Sequence, residues 1–170
     1  MFGSIVYMHG DRMIYRDGSV VREEPAGLFT GVTDRLDHGR GFLWDEGFHQ
    51  HLVSAWDMDV TKEIVASWFA TADPKTGWIC REQMLGGESR AGAPPTSWAQ
   101  SDSAANPPSL HLLIGNLLNR FDSDPELRAR EFDGFKLFLA EIYDNCKRHV
   151  LPSGMDDYPR VPFQTEYGSS

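Results

Sequence analysis

Residues 106–121 read NPPSLHLLIGNLLNRF, and this stretch decides the fold class. Leu110, Leu113, Ile114, Leu117, Leu118 and Phe121 fall at i, i+3, i+4, i+7, i+8 and i+11, one face of an amphipathic helix. Asn106 can cap it, and Pro107 fits the first helical position. Working outward, similar stripes recur. Phe135, Phe138, Leu139, Ile142, Tyr143 and Cys146 mark a helix from about Pro125 to His149. Ile64, Val65, Trp68 and Phe69 mark one from Val60 to about Thr71, with Asp59 as its cap. Phe48, Leu52, Val53 and Trp56 mark another that starts after Asp45 and ends at Asp57. Between the pairs, residues 72–106 carry turn signals at Asp73-Pro74 and Thr76-Gly77, and glycines and prolines that forbid a continuous helix. A long irregular stretch inside a compact domain is usually functional. Residues 1–40 and 151–170 read as loops, and no period-2 run is long enough for a sheet. The expectation is an all-α chain forming one domain over 1–170, with a loop-rich segment 1–40 and a helical portion 41–170.

The 170 residues are 41% hydrophobic and 24% charged, ordinary for a globular domain. Sixteen basic against twenty-five acidic residues give a net charge of -9, without a Lys/Arg cluster. Nucleic acid is therefore not an expected partner. Cys80 and Cys146 show no zinc spacing and read as buried thiols. No apolar run reaches the ~18 residues of a membrane span, and residues 1–8 do not form a secretory signal.

Chemistry concentrates in three places. The first is Trp44-Asp45-Glu46-Gly47-Phe48-His49, where a helix begins beside a tryptophan. An apolar ring favours a protonated carboxyl there, and a helix N-terminus favours the charged form. A carboxyl kept protonated can serve as a general acid; the competing reading makes Asp45 or Glu46 a helix cap. Glu46 and His49 have the Glu-x-x-His spacing of di-metal bundles. None of His9, His38, His111 or His149 supplies the second copy, so no metal is expected. The second place is Gly77-Trp78-Ile79-Cys80-Arg81-Glu82-Gln83. Its indole and forked polar groups suit a sugar, or the loop is pinned by its own Arg–carboxylate pair. The third is Gly154 to Arg160, with Asp156, Asp157 and Arg160. Glycine-rich phosphate loops and Ser or Cys nucleophile motifs are missing, and no cofactor is expected. Carboxylates, tryptophans and amides remain, the groups of carbohydrate chemistry.

Taken in order, several segments resemble glycoside hydrolase family 63, the processing α-glucosidase I (mannosyl-oligosaccharide glucosidase) type. They are residues 40–50, 73–79 and 81–86, then Glu88, Arg90 and Pro94-Pro95, then 105–110 and 151–160. The resemblance implies part of an (α/α)6 barrel. It implies inverting removal of a terminal α-1,2-linked glucose from the glucosylated N-glycan precursor, in the endoplasmic reticulum. It makes Asp45 the general acid. By the same matching, Phe42, Trp44, Glu46, His49, Arg81, Glu82, Asp156, Asp157 and Arg160 would line or brace the glucose pocket. The family's general base would lie beyond Ser170, and four helices stand against the twelve of a full barrel. The expectation is therefore a fragment of the catalytic domain, inactive alone, with the rest of the barrel in a longer protein. The alternative is a sugar-binding module without hydrolysis, or a degenerate helical interaction module.

Overall fold

The computed structural model describes residues 2–101, 107 and 109–150. Its chain order is β1 (Ile5–Gly10), β2 (Met13–Arg16), β3 (Ser19–Arg22), β4 (Ala26–Gly31), β5 (Gly41–Phe42), α1 (Leu43–Trp56) and α2 (Met58–Ala70). Then come β6 (Glu82–Gln83), α3 (Gly86–Ala91), β7 (Ala99–Ser101), α4 (Ser109–Ser123) and α5 (Pro125–Val150).

The all-α expectation is wrong. The chain is mixed, with three small sheets, 20% strand and 53% helix. Most of the strand content falls in residues 1–40, the segment read as loops. β1 pairs antiparallel with β4 from Ile5↔Gly31 to Gly10↔Ala26. β2 pairs antiparallel with β3 and parallel with β7, and β5 pairs antiparallel with β6. The strands hold two to six residues, too short for alternation to stand out. One signal was available. Asp17-Gly18 joins β2 to β3 with φ of 51° and 78°. A two-residue hairpin turn of type I′ needs positive φ at both positions, and Asp-Gly supplies it at low cost.

The helices fall close to their expected places. In α4, Leu110, Leu113, Leu117 and Phe121 are buried as the spacing predicts. They join Leu28, Ile64, Val65, Trp68 and Phe135 in one apolar cluster. Phe121 lies edge-on to Phe132 at 5.5 Å and tilted to Phe135 at 5.3 Å, packing α5 onto α4. The α2 cap is Asp57, not Asp59: its Oδ1 accepts the N–H of Asp59 and Val60 at 2.9 and 3.0 Å. Helix α1 lies along α4 at close range. A Cβ at Gly47 would meet the backbone of Ser109 at 2.5 Å, so only glycine permits that approach. Asn106, the expected cap of α4, lies outside the described residues, as do the side chains of Tyr143 and Cys146.

Candidate active site

The site is assembled by the smallest sheet. In β5–β6, Phe42 lies opposite Glu82 and Gly41 opposite Gln83. The chain then turns directly into α1, whose first N–H, on Leu43, donates to the Arg81 carbonyl at 3.0 Å. Two segments forty residues apart in sequence are thus held side by side at the mouth of a helix.

Arg40, which sequence reasoning passed over, binds this junction. Its guanidinium donates to Glu82 Oε2 at 2.8 Å and lies 4.7 Å from the centre of the Phe42 ring. The loop is pinned by an Arg–carboxylate pair, and the arginine comes from β5's own side rather than from position 81. Arg81 is exposed and contributes its carbonyl to the frame. The N–H of Glu82 donates to Gln100 Oε1 at 3.1 Å.

Asp45 and Glu46 are neighbours with opposite environments. Neither caps α1: the cap position is Phe42, with no side-chain bond to the first turn. Asp45 is half-buried, beside an exposed Trp44 that meets the Phe48 ring edge-on at 6.0 Å. Among the described residues no hydrogen bond or ion pair engages its carboxylate. Glu46 is wholly buried. Its Oε2 accepts the hydroxyl of Thr30, the N–H of Gly31 at 2.8 Å and the indole N–H of Trp68 at 3.3 Å. Its Oε1 accepts Gln50 Nε2 at 2.5 Å. Burial pushes the Glu46 carboxyl above its ordinary range, while the bonds from Thr30 and Gln50 pull the other way. No ligand can reach it. It braces the site by tying the first turn of α1 to the end of β4.

His49 lies one turn beyond Asp45, half-buried. A Cβ added to Gly31 would sit 2.9 Å from His49 Nδ1 and 3.3 Å from Glu46 Oε1, which places both side chains against the end of β4. His49 Nδ1 is buried with no partner among the described residues. Trp78 is held by a turn in which Asp73 Oδ1 accepts the N–H of Lys75 and Thr76, and the Asp73 N–H donates to the Trp78 carbonyl at 2.8 Å. Cys80 is a buried free thiol, pushed up to about 11 by burial. Asp156, Asp157 and Arg160 lie outside the described residues.

The structure therefore sets Phe42 and the start of α1, which carries Trp44 and Asp45, beside Arg81 and the strand that begins at Glu82, with Glu46 buried on the inner side of α1. It adds Arg40, Thr30, Gln50 and Trp68. A signal for Gln50 existed, four residues after Glu46 on one helix. Thr30 and Trp68 come from distant elements and left no local signal.

Residues 1–150 match the model of the glycosyl hydrolase family 63 C-terminal domain. The chain belongs to that family. It is 41% identical to alpha-glucosidase 2 of Arabidopsis thaliana, covering 98% of this chain and 26% of the relative. It is 37% identical to the mannosyl-oligosaccharide glucosidase of Saccharomyces cerevisiae, covering 95% and 29%. The mannosyl-oligosaccharide glucosidase GCS1 of Arabidopsis thaliana is 41% identical, with 98% and 24% covered. The chain thus spans about a quarter of the length of these family members. Among the described residues, no helix is long and apolar enough to cross a membrane.

Proposed function

We propose that this chain is the acid-bearing part of a family 63 glucosidase catalytic domain. Its substrate is a glucosylated N-glycan oligosaccharide, in the endoplasmic reticulum. Asp45 donates a proton to the glycosidic oxygen as the terminal α-1,2-linked glucose departs. Water adds to the anomeric carbon from the opposite face and gives its proton to a second carboxylate, which inversion places ~6.5–9.5 Å from the first. That second carboxylate is not assigned within residues 1–170. Glu82 is already held by Arg40, and Glu46 is sealed in the interior.

One observation carries the reading. Two adjacent carboxylates on α1 are sorted by the fold: one is locked by four donors, and the other, beside Trp44 at the helix mouth, is unengaged among the described residues. Trp44 and Phe42 supply apolar faces for a pyranose ring, and Arg81 supplies a forked donor for its hydroxyls.

The test is a chimera in which residues 1–150 replace the matching segment of the Saccharomyces cerevisiae relative. Glucose release from a glucose-capped high-mannose oligosaccharide is followed. Asp45→Asn should lower it about 100-fold or more, the usual worth of a general acid. Release unchanged by that substitution sinks the assignment. Binding without any release in the unsubstituted chimera favours a sugar-binding module.

A further inference from the structure

A cavity of about 960 Å³ opens between β1, the loop 35–39 and the start of α3, and it shares no residue with the Asp45 junction. Its floor is the open edge of β1. β1 pairs only with β4 among the described residues, and Phe29, opposite Tyr7, turns its N–H to Ser67. Tyr7 is therefore in a non-hydrogen-bonded pair, so its own N–H and carbonyl point to the open edge. That edge is closed at both ends. Arg35 donates to the Ile5 carbonyl at 3.1 Å, and a Cβ on Gly10 would lie 2.5 Å from the backbone of Gly86. About three residues stay accessible, roughly 10 Å of strand, which suits a compact ring-shaped ligand and is too short for a pairing peptide.

The walls are polar. His9, Arg35, Asp37 and Glu88 line the cavity with donors and acceptors of both signs, so a neutral polyhydroxylated ligand fits better than a phosphate. The wall at 35–39 is held firmly. Asp34 Oδ1 accepts the N–H groups of Leu36, Asp37 and His38, and the Arg40 guanidinium donates to the Asp37 carbonyl at 3.3 Å. Both walls run into the site. Gly39 precedes Arg40 and β5, and Leu85 follows β6. Three residues lie between Gly39 and Leu43, so the four steps of chain from the cavity to the start of α1 span at most ~14 Å.

We propose that this cavity is a second saccharide site, holding the part of a neutral oligosaccharide that extends beyond the glucose at Asp45. It rests on the glucosidase reading and adds to it a determinant of substrate length. The chain is titrated calorimetrically with two probes, α-1,2-glucobiose and a glucose-capped high-mannose oligosaccharide. The oligosaccharide should bind about tenfold tighter, a difference that one or two charge-assisted hydrogen bonds supply. Arg35→Ala with Glu88→Gln should abolish that preference and leave the glucobiose affinity unchanged. Trp44→Ala should weaken both ligands. An unchanged thermal melt of the Arg35/Glu88 variant separates lost binding from lost folding. A preference that survives the double substitution overturns the cavity assignment and leaves the Asp45 site standing. Tight oligosaccharide binding with no glucobiose binding overturns the Asp45 reading instead. Silence from both probes overturns both.

Discussion

Helices α1 and α4 pack against each other and bury opposite kinds of face. In α4 the inner positions are Leu110, Leu113, Leu117 and Phe121. In α1 they include Glu46, Gly47, Gln50 and Ser54, while Trp44, Phe48 and Leu52 are 42%, 50% and 62% exposed. Glu46, Gln50 and Ser54 each have a partner. Glu46 takes four donors, Gln50 is one of them, and Ser54 accepts Arg120 Nη1 at 3.1 Å. Burying polar groups is costly only when they go unpaired. The pairing lets α1 turn its polar side inward, and it is this inward side that fixes the turn on which Asp45 stands.

The comparison sharpens first at Phe121, fully buried against Phe132 and Phe135. Phe121→Ala should cost about 3–5 kcal/mol in chemical denaturation, the usual range for a buried phenylalanine. A loss under ~1 kcal/mol would mean that α4 is not the apolar anchor described.

The converse test is on α1. If burial there followed apolarity, Glu46→Leu would stabilise. We expect a loss of about 3 kcal/mol, because Thr30, the Gly31 N–H, the Trp68 indole and Gln50 all lose an acceptor. Glu46→Gln should be far milder. Its carbonyl can replace Oε2, and its amide can donate to Gln50 Oε1, which has no partner among the described residues. The pH dependence carries a sign. Burial raises the Glu46 carboxyl above 4.5, so the folded chain holds that proton more tightly than the unfolded one. Its contribution is complete below about pH 4.5 and is lost as pH rises through the folded value. Glu46→Gln should flatten that decline. Parallel stability–pH curves for the two proteins would show that Glu46 does not titrate there.

The same contrast explains what the sequence made legible. The apolar cores of α2 and α4 could be read because burial there tracks hydrophobicity at helical spacing. The extent of α1 could be read, but not its orientation. Of the stripe Phe48, Leu52, Val53 and Trp56, Val53 is buried and the other three are exposed. What orients α1 is a set of hydrogen bonds to Thr30 and Trp68, formed across 16 and 22 residues of sequence. The strands of residues 1–40 escaped for another reason: each holds only four to six residues, too few for alternation to stand out. At the junction around Asp45, the pairing of β5 with β6 sets Phe42 opposite Glu82, and the residue types were legible in the sequence. Its bracing ion pair was not, because Arg40 and Glu82 meet only through a two-residue strand pair.

The smallest expected effect is the most direct check on that orientation. Leu52 lies on the outer side of α1 and is 62% exposed. An inner leucine replaced by glutamine would lose its apolar contacts and leave a buried amide without partners, costing ~2–5 kcal/mol. An outer one loses little, since leucine and glutamine are similar in helix propensity. Leu52→Gln should therefore shift stability by no more than ~0.5 kcal/mol, as surface changes generally do. A loss of several kcal/mol in a monomeric sample would put Leu52 inside and turn α1 over. Glu46 and its four donors would then have to face water.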